Sequence, residues 1–250
     1  MITIEDHYGI TVLRDDLLVG GTKSILMPSI DDDINITEFV YASPVYGGFQ
    51  IALSAYCKTV NKKATIVCAK RKLKHPNTLK CIEYGANIIE VEYGYLSVVE
   101  KKARDYCHEK PHVKKIVFGT KSEETIQLIS NRMTQVLQLL KKRGRYPDEI
   151  WCAVGSGTLI SGIVKAVPES ITVIGVQVGA EFIPDEQNKN LMIVKYPKLF
   201  EKESSLIIDF PSMPNYDLKA FEMCLEYYNK YYNDKNSKHS KKNILFWNVL

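Results

Sequence analysis

The chain has no paired cysteines. Its six cysteines, Cys57, Cys68, Cys81, Cys107, Cys152 and Cys224, are scattered with no CxxC pair and no metal-ligand spacing. That pattern excludes a disulfide framework or a zinc module as the organising feature, and no metal is expected. Several of them lie inside apolar runs, which points to buried free thiols in a reducing, cytoplasmic setting. No apolar run approaches the roughly 18–20 residues of a membrane span, so no membrane partner is expected. The N-terminal stretch Met1 to His7 has neither a basic region nor a long apolar core, so no signal peptide is expected. Charge of one sign is also scarce. Lysine plus arginine number 33 against 29 acids, giving +4 and a pI near 8.6, too mild an excess to imply nucleic acid by itself. No His/Asp/Ser or His/Cys set forms a nucleophilic triad, and neither repeats nor long low-complexity tracts occur.

The remaining composition is that of a globular protein. With 250 residues, 45% hydrophobic and 25% charged, the chain can build one large domain or two small ones around a real core. From residue 38 onward, short apolar runs alternate with helical patterns. Strands are expected at 38–43, 64–69, 87–91, 115–119, 150–154, 172–178 and 243–250. Helices are expected from 47–48 through Tyr56, from His75-Pro76 to Gly85, over 96–107, from Ser122 to the Lys141–Gly144 stop, and over 217–233. The segment 181–213 is less regular. Continuously apolar strands separated by helices argue for parallel sheets covered on both faces, an α/β fold.

Two glycine-marked segments carry the chemistry. Arg14-Asp15-Asp16-Leu17-Leu18-Val19-Gly20-Gly21-Thr22-Lys23 is a polar, glycine-flexed loop ending in a lysine. A lysine amine can form a Schiff base with a carbonyl. Downstream, the apolar run Ile150 to Val154 enters Gly155-Ser156-Gly157-Thr158-Leu159-Ile160-Ser161-Gly162. A strand, a glycine loop and a helix N-terminus together offer backbone N–H groups and a positive dipole end to a phosphate. An aldehyde and a phosphate on one small molecule describe pyridoxal 5'-phosphate. Asp15 and Asp16 read better as salt-bridge or capping partners than as catalytic acids, and the basic 235–242 run reads as a solvated loop.

In this order the segments resemble the fold-type II pyridoxal-phosphate enzymes, the tryptophan synthase β-like superfamily. The branch most similar is that of 1-aminocyclopropane-1-carboxylate deaminase and D-cysteine desulfhydrase. That branch carries Arg-Asp-Asp followed by Gly-Gly-Asn-Lys; here stand Arg14-Asp15-Asp16 and Gly20-Gly21-Thr22-Lys23. Its phosphate loop resembles Gly155-Ser156-Gly157-Thr158, one glycine shorter. Phe118-Gly119-Thr120 and Pro214-Asn215 fall where the branch has a glycine turn and a late helix start. Two departures stand out. The family's Ser/Asn substrate loop is replaced by Ala42-Ser43-Pro44-Val45-Tyr46-Gly47-Gly48-Phe49-Gln50, which has no asparagine, and relatives continue beyond the position of Leu250.

The resemblance implies a reduced two-domain variant of that architecture, with 38–120 as a smaller α/β domain and 1–37 plus 121–250 as the larger, cofactor-binding one. The large sheet is expected to join 150–154 and 173–178 to Ile10–Leu13, with the cofactor in a cleft between the domains. Lys23 is the expected catalytic residue. Lys23, Gly155, Ser156, Gly157, Thr158 and Tyr46 are the expected cofactor contacts, and Asp209, Ser212 and Asn248 are candidates to face the pyridine nitrogen. The implied activity is a lyase acting at the α-carbon of a small-molecule amino acid, by deamination, elimination or decarboxylation, in a homodimer. An alternative substrate is an amino acid attached to a larger molecule such as a modified nucleobase, with the basic loop meeting a polyanion. Nucleic acid is the less favoured partner. A non-catalytic phosphate-ligand binder or partner subunit is the third reading.

Overall fold

The computed structural model describes residues 2–44, 47–92, 94–117, 122–179, 181–184, 188–233 and 240–250. The chain divides into two compact units, one of residues 1–17 with 121–250 and the other of residues 18–120.

The larger unit is built on a six-stranded sheet. Its strands are β1 (Ile4–His7), β2 (Ile10–Arg14), β7 (Glu149–Val154), β8 (Thr172–Gln177), β9 (Leu191–Lys195) and β10 (Ile244–Asn248), the strands between β2 and β7 belonging to the smaller unit. The spatial order is β1-β2-β10-β7-β8-β9, parallel throughout except for the β1–β2 hairpin. The strands at 10–13, 150–154 and 173–178 share this sheet as expected, and the first two are not direct neighbours. β10 lies between them, pairing Phe246 with Val12 on one side and with Trp151 on the other. The physical reason is burial: every residue of β10, Ile-Leu-Phe-Trp-Asn, is buried, and only a central strand is covered on both faces.

One face of this sheet packs on α7 (Asp217–Tyr231). There Phe221 meets Phe210 and Phe246 edge-on, each pair with centroids 5.0 Å apart. Buried aromatics of this kind contribute roughly 1.5–3 kcal/mol each from area alone. Two further helices belong to this unit, α5 (Glu123–Lys142) and α6 (Thr158–Ala166), and they pack on each other. Ser122 caps α5 as expected, its Oγ accepting from the Thr125 N–H at 3.1 Å. Glu123 and Glu124 in the first turn and Lys141 and Lys142 in the last complement the helix dipole.

The smaller unit has a parallel four-stranded sheet of order β5-β4-β3-β6, with β3 at Glu38–Ala42, β4 at Lys63–Ala69, β5 at Asn87–Val91 and β6 at Val113–Ile116. β6 starts two residues before the expected strand, and Phe118, Gly119 and Thr120 lie outside the described residues. The helices of this unit are α1 (Met27–Ile30), α2 (Phe49–Thr59), α3 (Pro76–Glu83) and α4 (Leu96–Cys107). α4 covers the face that carries Val40, Ala42, Val67 and Val91. On the alternate parity, Tyr41 packs its ring against Phe49 of α2, and α2 packs on α3.

The segment 18–37 groups with this smaller unit, whereas the sequence reading placed it with the larger one. Its ties are specific. Tyr56 of α2 donates to Asp31 at 3.0 Å, Lys62 pairs with Asp31, and Lys114 of β6 donates to the Ile30 carbonyl at 3.0 Å.

Candidate active site

Lys23 sits in a short 3₁₀ segment, Gly21–Leu26, and is half-buried. Two consecutive glycines hold its entry. Gly20 and Gly21 both adopt left-handed backbone, at φ +85° and +68°. At Gly20 a Cβ would come within 2.3 Å of the Ala52 Cα, so no other residue fits between this turn and α2. The Gly21 N–H closes the turn on the Leu18 carbonyl at 2.8 Å, and Thr22, where the branch has asparagine, is buried.

In the larger unit, β7 delivers its chain into Gly155–Thr158 at the C-terminal edge of the sheet, and α6 begins at Thr158. Its N-cap, Gly157, is left-handed at φ +82° and supplies no side-chain cap. The first N–H groups of α6 therefore lack a side-chain acceptor of the usual kind, the condition for receiving an anion. A Cβ on Gly157 would lie 2.2 Å from the ring of Phe182. Ser156 and Thr158 set their hydroxyls 3.1 Å apart on the exposed side of the loop.

Beside the loop stands Tyr216, which the sequence reading did not single out. A Cβ on Gly155 would lie 3.0 Å from its hydroxyl. Burial and the neighbouring Asp217 raise that hydroxyl's pKa above the usual tyrosine value, against an opposing hydrogen bond from the Gly155 backbone. The available signal was Pro214-Asn215 ahead of a helix, since Tyr216 is the next residue and the N-cap of α7.

Arg14, Asp15 and Asp16 are structural. Arg14 clamps Asp16 through Nε at 2.9 Å and Nη2 at 2.8 Å and also pairs with Glu5. Asp15 is fully buried, paired with Arg132 of α5 and accepting the Trp247 indole N–H at 3.1 Å. The three candidates for the pyridine nitrogen separate. Asp209 is exposed and binds His7 at 2.8 Å. Ser212 donates to the Asn248 Oδ1 at 2.8 Å, and Asn248, fully buried at the end of β10, donates to the Pro211 carbonyl at 2.8 Å. Tyr46 lies outside the described residues. Lys242, at the end of the basic run, is committed to the buried Glu149 at 2.8 Å, and residues 235–239 lie outside the described set.

The family model for the pyridoxal-phosphate dependent enzymes matches residues 40–205, more than half of the chain. The chain belongs to that family. The match takes in the glycine loop and begins after Lys23. No curated protein matches the sequence. Among solved structures, a hydrogen sulfide-producing enzyme from Fusobacterium nucleatum is 16% identical, with a TM-score of 0.68 over 100% of this chain and 92% of that one. An ACC deaminase homologue is 15% identical, with a TM-score of 0.70 over 96% and 83%. An O-acetylserine dependent cystathionine beta-synthase from Helicobacter pylori is 16% identical, with a TM-score of 0.64 over 100% and 91%. At such identities the likeness is one of fold, and the fold is that of the fold-type II pyridoxal-phosphate enzymes.

The residues present fit the family's cofactor. The loop Gly155–Thr158 offers backbone donors at an uncapped helix N-terminus, which suits a phosphate. A lysine in a glycine-held turn suits a carbonyl. Among the described residues no helix is long and apolar enough to cross a membrane.

Proposed function

We propose that this chain is a pyridoxal-phosphate-dependent lyase acting at the α-carbon of an amino acid, with Lys23 as the catalytic amine. The observation that carries the reading is the backbone of Lys23. Two left-handed glycines, one wedged against Ala52, fix a half-buried lysine where a solvated loop would need neither. Bound pyridoxal phosphate supplies an electron sink for the pair released at the substrate's α-carbon.

The chain's own residues do the rest. The N–H groups of Gly155–Thr158 and the α6 dipole hold the phosphate. The Lys23 Nζ would hold the cofactor through its carbonyl carbon and would serve as the base that carries the proton to or from the substrate's α-carbon. The Ser212–Asn248 pair is assigned to the ring nitrogen in preference to Asp209, because Asn248 ends a strand adjacent to β7 at the same sheet edge as the glycine loop. The Gly47 N–H is spent on the Pro44 carbonyl at 3.0 Å, so the substrate carboxylate falls to the N–H groups from Gly48 into the first turn of α2, in place of the family's Ser/Asn side chains. The polyanion alternative loses support, since Lys242 is spent on Glu149.

The test is spectroscopic. Protein reconstituted with the cofactor is expected to show a visible band, and Lys23→Ala to lose both the band and turnover while keeping its circular dichroism. A borohydride-reducible adduct retained in Lys23→Ala would remove Lys23 from the role. A wild type without a band favours the non-catalytic reading.

A further inference from the structure

The loop assigned to the phosphate has little of its own to hold it. Gly157 caps α6 without a side chain, and its φ of +82° is a conformation that glycine alone adopts freely. Helices are more often entered through a serine, threonine, asparagine or aspartate whose oxygen fixes the first N–H groups, worth about 1 kcal/mol. A glycine entry forgoes that bond and adds backbone freedom. Donors that serve an anion well are held in place before it arrives. The restraint on this loop has to come from elsewhere in the fold.

It comes from the chain that leaves β8. Val178 and Gly179 donate their N–H groups to the Val154 carbonyl at 3.1 and 3.4 Å, where β7 ends. A Cβ on Gly179 would lie 3.5 Å from the Gly155 Cα, an ordinary contact. Further on, the ring of Phe182 fills the place of the missing Gly157 side chain, its Cδ2 and Cε2 each 2.2 Å from where that Cβ would stand. The segment after β8 therefore runs alongside the glycine loop and sets a phenyl ring on it. Glu181 and Ile183 are exposed while Phe182 between them is half-buried, so the ring is the side chain that turns inward. A ring packed on a residue without a Cβ limits the backbone rotations that glycine otherwise allows. It also keeps water from one side of the α6 entry, where a lower dielectric strengthens the pull of N–H dipoles on an anion.

We propose that Phe182 is the positioning residue of the phosphate site: its ring holds Gly157, and with it the first N–H groups of α6, in the conformation that receives the cofactor's phosphate. Phe182 acts through Gly157 and not on the reacting bond. The contact therefore serves the phosphate end of the cofactor and not its carbonyl end, which sets it apart from a ring that only stabilises the fold. The proposal rests on the reading of Gly155–Thr158 as the phosphate-binding loop.

Titration of the full chain with pyridoxal phosphate and with pyridoxal, read by absorbance and by borohydride trapping, tests it. Wild type is expected to bind the phosphorylated compound on the order of a hundredfold more tightly. Phe182→Ala is expected to weaken pyridoxal phosphate about tenfold and to leave pyridoxal within about twofold of wild type, so the ratio shrinks. Phe182→Leu, which keeps an apolar side chain on Gly157, is expected to recover most of the loss. Thermal melting by circular dichroism checks that all three proteins are folded. Unchanged affinity for pyridoxal phosphate in Phe182→Ala, an equal loss for both compounds, or no recovery in a folded Phe182→Leu overturns the proposal. Wild type separates the two levels. If it prefers pyridoxal phosphate and Phe182→Ala keeps the full preference, this inference falls alone. If wild type binds the two compounds alike, or binds neither, the reading of the glycine loop falls with it.

Discussion

Trp247 donates its indole N–H to the carboxylate of Asp15 across 3.1 Å, and both residues are fully buried. The bond joins the central strand β10 to the residue that follows β2, while Arg132 of α5 holds the same carboxylate from the helical layer. A carboxylate without water contact is tolerable only when such donors surround it. The Arg-Asp-Asp segment is thus a structural tie within the larger unit, joining β2 to β10 and α5.

Asp15→Asn is expected to be among the more destabilising substitutions in the chain. It removes the charge facing Arg132 in a buried setting, a loss of about 3–5 kcal/mol. Trp247→Phe removes one donor and is expected to cost less, about 1–3 kcal/mol. Urea unfolding followed by circular dichroism measures both. An Asp15→Asn protein as stable as wild type would mean that the buried pair does not contribute as the geometry indicates.

Gly157→Ala is expected to lower cofactor affinity at least tenfold, equivalent to about 1.4 kcal/mol, with the secondary structure retained. The added Cβ meets the Phe182 ring at 2.2 Å and the φ of +82° disfavours any L side chain, so the loop must shift its N–H groups. Titration with pyridoxal phosphate, read by absorbance, is the measurement. Unchanged affinity would place the phosphate elsewhere.

Much of this arrangement was legible in the sequence. The helices 96–107 and 123–142 announce themselves through periodicity and, for the second, through Ser122 and its first-turn acids. The strand Glu149–Val154 and its glycine loop were readable because an apolar run meeting Gly-x-Gly has few other structures open to it. β1 was not readable: Ile4-Glu5-Asp6-His7 has one apolar residue, and an edge strand needs no buried face. β9 did carry a signal in the apolar run Leu191-Met192-Ile193-Val194, but it stands inside the otherwise irregular segment 181–213. The central place of β10 was written in its unbroken apolar run with tryptophan, although strand order follows from burial on both faces and not from position in the chain. Phe182 and Arg132 were out of reach, since each acts through a neighbour distant in sequence, whereas Tyr216 had Pro214-Asn215 ahead of its helix as a signal. The grouping of 18–37 with the smaller unit depends on contacts distant in sequence, Gly20 with Ala52, Asp31 with Tyr56 and Lys62, and Ile30 with Lys114, that no local pattern encodes.

The thiols are expected to be inert in the folded protein. Burial pushes Cys57 up to about 12 and Cys81 to about 11, and raises Cys68, Cys152 and Cys224 above the usual thiol value. Cys107 is raised by partial burial too, but it alone is not fully buried. Since the thiolate is the reactive form, Ellman's reagent at pH 8 should label at most one cysteine quickly and all six only in denaturant. Cys107→Ser should abolish the fast phase. Two or more fast thiols would contradict the packing of the cores.

Acid should weaken the tie between β1 and the turn after α5. Arg145 grips Asp6 with two N–H groups, one at 2.6 Å, and Thr11 adds a hydroxyl at 3.3 Å. The Arg145 hydrogen bonds hold the Asp6 carboxyl below the usual aspartate range, with partial burial opposing them. A carboxylate whose folded pKa is lowered contributes stability that is fully present above its unfolded value, near 3.9, and is lost as pH falls through the lower folded value. Both side chains are substantially exposed, so solvent screening limits the contribution to about 1 kcal/mol at most. Arg145→Met is therefore expected to be slightly less stable than wild type at pH 7, with the difference constant down to about pH 5. Below about pH 4 the two proteins should converge, as Asp6 takes up its proton in both and the pair ceases to exist. Parallel urea titrations between pH 7 and pH 3 follow this closing gap. A gap that stayed constant to pH 3, or widened, would show that Arg145 stabilises the fold through its packing and not through Asp6.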